Sequence, residues 1–198
     1  MEECFIAIIP PEPILAKLNK IMKEMSSSLS SYKALTFPPH ITLVHRFRTG
    51  NYKEFIKQLK LYCQEKEYVK VELLEFGYFD PPPIIFIHTK SSKNLHLELL
   101  ELTKDFRTHW IRESFLKGKF TKKQQEYILK YGSPYVKEYY NSHLTMAGPD
   151  VNHKKFKTLL KKGLPKIHES FPVKGIVVIK NKNDLWVVDK VIKFRNKL

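Results

Sequence analysis

The sequence predicts an α+β fold, and three observations indicate it. Segments with strand and helix periodicity follow one another as strand, helix, strand, helix, strands, helix, strand, helix and strands. A strand of the pattern His-apolar-Thr-apolar, followed by a Lys-rich amphipathic helix, occurs once in each half of the chain. The chain has seven glycines and no glycine-rich phosphate loop, which argues against a dinucleotide-binding fold. We therefore expect helices packed on sheets, in two related lobes that face each other.

The first half of the chain is predicted to contain two strands and two helices. Its first apolar run ends at Pro10 and Pro11, which cannot donate a backbone hydrogen bond. Apolar side chains then recur at helical spacing from Ile14 to Met25, before a serine-rich stretch. The predicted elements are a strand over 4–10, a helix over 14–25, a loop over 26–33, a strand over 40–47 and a helix over 52–65.

The second half is predicted to contain further strands, two long helices and a final hairpin that turns at residues 181–184. A glycine at position 163 supplies the stop signal of the last helix. The predicted elements are strands over 68–79 and 83–89, a helix over 93–110, a strand over 142–148, a helix over 152–163, and hairpin strands over 171–181 and 184–194.

The segment 112–140 is basic and rich in tyrosine, and it interrupts this alternation. We expect one or two short helices and a loop, inserted into a single domain that covers residues 1–198. It is too long for a simple connection in a compact domain. The sequence favours equally a lid or substrate-contacting segment and a solvated helical excursion.

Charge, cysteine content and apolar run length indicate which partners and which cellular compartment to expect. The formal net charge is +15, which attracts polyanions such as RNA, DNA or an anionic membrane surface. The alternative is that the Lys-rich composition reflects the genomic bias of an AT-rich organism. Cys4 and Cys63 have no metal-binding or redox spacing and are interpreted as reduced structural thiols. No apolar run is long enough to span a bilayer, and the first residues lack the features of a signal peptide. We expect a cytoplasmic monomer with no membrane partner.

The two copies of the His-apolar-Thr pattern are "HITL" at 40–43 and "HLTM" at 143–146. Residues two apart on a strand project from the same face. His40 and Thr42 therefore project together, as do His143 and Thr145. If the two strands face each other, two imidazoles and two hydroxyls converge on one point.

A site with two imidazoles and two hydroxyls suits hydrolysis of a phosphodiester without a metal ion. Histidine titrates near neutrality, so one imidazole can accept a proton from water while the other donates one to the leaving oxygen. The threonine hydroxyls can donate hydrogen bonds to the non-bridging phosphate oxygens. No other histidine has the spacing of a metal ligand, and we expect neither a metal site nor a cofactor.

The paired motifs resemble those of the 2H phosphoesterase superfamily, and in particular its 2′-5′ RNA ligase-like and RNA 2′,3′-cyclic phosphodiesterase branch. This resemblance implies a bilobal fold with antiparallel sheets, outer helices and a central cleft. It implies that His40 and His143 are the catalytic acid and base, and that Thr42 and Thr145 bind the phosphate. Some relatives carry an arginine shortly after the second motif, where this chain has Ala147 and Gly148.

Two further residues are candidates for substrate contact, and one nearby histidine is not. Counting by twos from His40 puts Arg46 on the same face, where its guanidinium could meet a phosphate; the alternative is a solvent-facing position at the strand end. Tyr139 could stack on a base, or else pack against the core or the inserted segment. His45 has the opposite phase to His40, which predicts that it faces a helix or the surface.

The resemblance favours hydrolysis of a 2′,3′-cyclic phosphate, in RNA or a nucleotide, to a 2′-phosphate. The same residues would suit a 2′-5′ phosphodiesterase, a 3′ exonuclease or an RNA ligase. The alternative that is not an enzyme is a basic RNA-binding module without catalytic activity.

Overall fold

A computed structural model describes residues 1–90 and 92–195 and contains one curled, eight-stranded antiparallel sheet with helices packed against it. The strands lie in the order β6-β3-β4-β5-β2-β1-β7-β8. Their bounds are β1 Glu2–Ile8, β2 Ile41–Thr49, β3 Val69–Phe79, β4 Ile84–Lys90, β5 His143–Ala147, β6 Glu169–Val173, β7 Gly175–Lys182 and β8 Leu185–Lys193.

The helices follow the strands in a repeated pattern that confirms the predicted pseudo-symmetry. In each half, a helix crosses over to pack against a strand of the other half: α1 packs on β5, and α3 packs on β2. The two lobes are thus halves of one sheet that meet where β5 neighbours β2. The helix bounds are α1 Ile14–Leu29, α2 Tyr52–Gln64, α3 Lys93–Lys104, α4 Glu113–Leu116, α5 Lys122–Tyr131 and α6 His153–Lys162.

The two faces of the sheet have different roles. The face under the helices carries the main core, to which β1 contributes Ile6 and β2 contributes Leu43 and Phe47. The opposite, concave face carries a small apolar cluster around Phe5 and Ala7. Polar side chains on the concave face therefore lie on the side of the sheet away from the main core.

The prediction of a loop over residues 26–33 was wrong for its first half, because α1 continues to Leu29. Leu29 is buried in the main core, and the Ser26 hydroxyl donates to the carbonyl of Ser31. Ser30 then ends the helix in the left-handed conformation, at φ 52°. Burial of an apolar side chain outweighed the weak helix preference of the serines.

The predicted helix over 93–110 and the first predicted hairpin strand are also shorter in the structure. α3 ends at Lys104, and the Thr108 N–H then bonds the Arg48 carbonyl of β2 at 2.8 Å. The stretch 171–181 is two strands, which Lys174 separates. β6 pairs with β3 and β7 pairs with β1, so this stretch connects the two ends of the curled sheet.

Candidate active site

The two motif strands are neighbours at the centre of the sheet. β2 and β5 are antiparallel, and Ile41 pairs with Leu144. Both of these side chains are fully buried on the core side. Their register puts His40 across from Thr145 and Thr42 across from His143, on the concave face. Directly opposed positions on one face have Cβ atoms about 4.5–5.5 Å apart. Each motif histidine thus neighbours the threonine of the other motif.

A cavity of about 630 Å³ opens on this face. It receives three of the four motif residues, namely His40, Thr42 and Thr145. The fourth, His143, is half-buried beside the cavity, and its ring packs against Phe86 at 5.1 Å between centroids. The other polar and aromatic side chains at the cavity are Lys33, Thr36, Phe5, Phe37, His45, Arg46, Arg112, Asp184 and Trp186.

The two motif histidines have the same hydrogen-bonding arrangement. Nδ1 of His40 lies 2.9 Å from the Pro38 carbonyl, and Nδ1 of His143 lies 2.7 Å from the Asn141 carbonyl. A carbonyl only accepts, so each Nδ1 carries the hydrogen and each Nε2 has its lone pair in the neutral ring. The bond from residue i to the carbonyl of i−2 fixes the orientation of both rings, and Nε2 is the nitrogen available for proton transfer.

Both histidines are neutral in the free protein at neutral pH. Burial lowers the pKa of His40 to about 4, and repulsion from a protonated His143 or from the Arg46 guanidinium also disfavours its charged form. Burial also lowers the pKa of His143, with a smaller contribution from His88. The bonds to the Pro38 and Asn141 carbonyls act in the opposite direction, because a donated hydrogen bond favours the protonated ring.

The prediction for His45 was wrong, because β2 does not alternate regularly. Ala7 pairs with Thr42 and Ile6 pairs with Val44, so Leu43 is an extra residue in β2 and Val44 joins the main core beside it. Such a bulge breaks the period of two. His45, next after Val44, therefore lines the same cavity as His40.

Of the two positions expected for Arg46, the structure shows the one in the cavity wall and not the solvent-facing one at the strand end. Its guanidinium lies 4.2 Å from the centroid of the Trp186 ring and 5.6 Å from that of Phe37. Burial and the positive charge of Arg112 lower its pKa. Arg112 lines the cavity as well, so two guanidinium groups face it even though the second motif is followed by Ala147.

Tyr139 is the candidate that the structure does not bring to the cavity. It lies in a short 3-10 turn, Lys137–Tyr139, and its ring contacts that of Tyr127 on α5 at 6.3 Å. Its neighbour Tyr140 instead reaches the motif strand, where its hydroxyl donates to the Thr42 carbonyl at 2.9 Å. The sequence pattern of 112–140 contains no signal that separates these two tyrosines.

The described residues contain no group of three or more His, Cys, Asp or Glu side chains placed to hold a metal ion. None of the described helices is long and apolar enough to cross a membrane.

Comparisons with known proteins agree with this geometry. The curled antiparallel sheet, with both His-x-Thr strands at its centre, fits the resemblance to the 2H phosphoesterase superfamily. Residues 10–185 match the family model of the 2′-5′ RNA ligase superfamily. The match covers well over half of the chain, and the protein belongs to this superfamily. A search of the curated proteins finds no match.

Solved structures share the fold over the whole chain. TT0787 of Thermus thermophilus is 16% identical with a TM-score of 0.60, and each chain covers 100% of the other. LigT of E. coli complexed with 3′-AMP is 11% identical with a TM-score of 0.55, covering 98% of this chain and 99% of that one. A protein described as a phosphoesterase is 11% identical with a TM-score of 0.51, covering 99% and 100%. These likenesses establish a shared architecture.

Proposed function

We propose that this protein is a metal-independent phosphodiesterase that opens 2′,3′-cyclic phosphates, at RNA ends or in nucleotides, to 2′-phosphates. The observation that carries the proposal is the pairing of Ile41 with Leu144, which aligns the two His-x-Thr motifs on the concave face. Membership of the 2′-5′ RNA ligase superfamily supports phosphodiester chemistry. His40 and His143 are the proposed acid and base, and Thr42 and Thr145 the proposed phosphate ligands.

The proposed reaction needs two proton transfers at Nε2 atoms. One histidine accepts a proton from water, whose oxygen forms a bond to phosphorus. The P–O3′ bond breaks, and the other histidine, protonated in the substrate complex, donates its proton to O3′. The products are a 2′-phosphate and a free 3′-hydroxyl. Exchange with solvent then returns both histidines to their starting states.

Substrate charge supports this cycle, because the free protein holds both rings neutral. A phosphate anion beside the imidazoles favours the protonated form and raises their pKa values. The same anion would meet Arg46 and the Thr42 and Thr145 hydroxyls, which can stabilise charge on the non-bridging oxygens. Substrate binding would therefore supply the acid that the free protein lacks.

The inserted segment supports RNA as the substrate over a free nucleotide. Arg112 lines the cavity, and its guanidinium lies 5.2 Å from the Phe115 ring. Phe115 packs with Phe120 and Tyr135, and the Tyr135 ring contacts His45 at 6.4 Å. The Arg112 guanidinium and the exposed Tyr135 ring continue from the cavity, and a cation beside an open aromatic face suits the charge and stacking of a single strand.

The experiment that tests the proposed function uses a short RNA ending in a 2′,3′-cyclic phosphate, incubated with the protein in EDTA. We expect conversion to the 2′-phosphate by the wild type and a loss of about 10²–10⁴-fold in kcat for His40→Ala or His143→Ala. Affinity should change little. The matched control is His168→Ala, which removes an exposed histidine outside the cavity.

Other outcomes would replace the proposal. Cleavage of a 2′-5′-linked or 3′-tailed RNA, with the cyclic phosphate untouched, would assign the same site to a linear bond. Joining of RNA ends would assign a ligase. RNA binding that His40→Ala leaves unchanged, without turnover of any of these substrates, would assign a binding module. Loss of turnover in EDTA would refute the metal-independent mechanism.

A further inference from the structure

The strand that carries Thr42 is irregular where Thr42 lies. Ile6 of β1 pairs with Val44, but the next residue, Ala7, pairs with Thr42, so Leu43 is an extra residue in β2. A bulge interrupts the ladder and bends the strand. Backbone carbonyls near it need partners from elsewhere. The direction of the Thr42 side chain therefore depends on what holds this backbone.

Two stacked rings bond the carbonyls at the bulge. The Tyr140 hydroxyl donates to the Thr42 carbonyl at 2.9 Å, and His96 Nδ1–H donates to the Leu43 carbonyl at 2.6 Å. The rings of Tyr140 and His96 are parallel, at 3° and 3.8 Å between centroids. Each ring limits the motion of the other, so the two adjacent carbonyls are bonded by one rigid pair.

His96 also connects this pair to the inserted segment. It is fully buried on α3, and its Nε2 accepts a hydrogen bond from the Lys137 N–H at 3.1 Å. Both ring nitrogens are thus satisfied in one neutral tautomer. The arrangement connects β2, α3 and the end of 112–140 through a single side chain.

A chain of hydroxyls connects Tyr140 to the other motif strand. Ser92 Oγ lies 3.4 Å from the Tyr140 hydroxyl, and Ser92 is also hydrogen-bonded to Ser142. Ser142 in turn bonds Thr89 and directly precedes His143. The same network therefore contacts the backbone of Thr42 and the residue before the second motif.

We propose that Tyr140 and His96 are positioning residues, which hold the β2 bulge so that the Thr42 hydroxyl faces the cavity. This rests on the proposed function, in which Thr42 binds the phosphate. Without the Tyr140 hydroxyl, the Thr42 carbonyl loses this hydrogen bond and the strand can relax. Displacing a donor by about 1 Å can cost as much as 10²-fold in rate, because transition-state hydrogen bonds need close alignment.

The test is a double-mutant cycle on kcat/KM for the cyclic-phosphate RNA. Tyr140→Phe keeps the ring and removes the hydroxyl. We expect a loss of about 10-fold or more in the wild type. The same factor is expected in Thr145→Ala, because the bonds of the pair go to the Thr42 and Leu43 carbonyls on the other strand. In Thr42→Ala the loss should be under about twofold, because the group to be positioned is absent. Equal factors in the two threonine backgrounds would overturn the proposal.

Two further sets of variants distinguish a positioning role from a general loss of folding or activity. Tyr62→Phe removes a hydroxyl that bonds Glu98 and should leave kcat/KM unchanged. His96→Asn keeps an N–H close to the place of Nδ1, and it should retain more activity than His96→Leu. Equal losses in these two variants would contradict a role for the Leu43 bond.

The design also distinguishes this proposal from the proposed function. If the wild type turns over no phosphodiester, the proposed function fails, and the cycle is then measured on the Kd for inorganic phosphate by calorimetry. We expect Tyr140→Phe to weaken phosphate binding in Thr145→Ala and not in Thr42→Ala. Equal weakening in both, or none in either, would refute the positioning role.

Discussion

Ile41 of β2 pairs with Leu144 of β5 at the centre of the eight-stranded sheet. Both side chains are buried on the core side, with 0% exposure. Because neighbouring residues of a strand project from opposite faces, the residues on either side of this pair share the concave face. A one-residue slip would bury the histidines and expose the apolar residues, so burial of Ile41 and Leu144 sets the register of the proposed site.

A change of leaving group should tell which histidine is the acid. A phosphodiester with a 4-nitrophenolate leaving group needs no proton on that oxygen, so a variant that lacks only the acid should recover most of its rate. We expect one of His40→Ala and His143→Ala to be rescued on this substrate and the other to stay impaired. Spectrophotometric release of 4-nitrophenolate measures both. Equal rescue or equal impairment would contradict separate acid and base roles.

The pH dependence of kcat/KM should be bell-shaped with an acidic optimum. The kcat/KM profile reports the pKa values of the free protein, and the reactive form carries one neutral and one protonated histidine. The pKa of His40 is lowered to about 4 and that of His143 is below its usual 6.5. Activity should therefore rise through about pH 4 and decline before pH 6.5. The profile of kcat should lie at higher pH, because bound phosphate raises both pKa values. A flat profile would contradict the two-histidine mechanism.

Arg46→Ala should raise KM for a cyclic-phosphate RNA by about tenfold, because a half-buried guanidinium binds a phosphate more strongly than a solvated one. Arg46→Lys should recover only part of this, since an ammonium cannot stack on Trp186 in the same way. The control is Arg48→Ala on the same strand, where the guanidinium pairs with Glu3 outside the cavity. A change of similar size at both positions would indicate a general effect of net charge.

His96 should make the fold sensitive to acid. Burial lowers its pKa to about 4, so between pH 6.5 and 4 the unfolded state binds more protons at this residue than the folded state. The free energy of unfolding therefore carries the full contribution of neutral His96 above pH 6.5. That contribution is lost as pH falls, and the loss at pH 5 is about 2 kcal/mol.

Urea unfolding at pH 7 and pH 5 tests the contribution of His96. His96→Gln lowers stability at pH 7, and its gap to the wild type should narrow at pH 5. The exposed His168→Gln should keep the wild-type pH dependence. A gap that stays constant for His96→Gln would refute the assignment.

The sequence was sufficient for those features that depend on local periodicity. Alternation identified the strands of both motifs, and helical spacing identified most of α2, α3 and α6. It failed where a distant contact outweighed local preference. The serines of α1 remain helical because Leu29 is buried in the core. Tyr139 and Tyr140 are adjacent and chemically alike, and only packing against His96 directs Tyr140 to β2.

The sequence by itself determined the fold class, the paired motifs and the residue types that could transfer protons. Tertiary structure decided which of these residues meet and how they are charged. The bulges that bring His45 and Arg46 together into one cavity arise from pairing with β1, which no local pattern encodes. The lowered histidine pKa values arise from burial, which depends on the curled sheet and its helices. Period and composition are properties of short segments, whereas register and desolvation are properties of the whole fold.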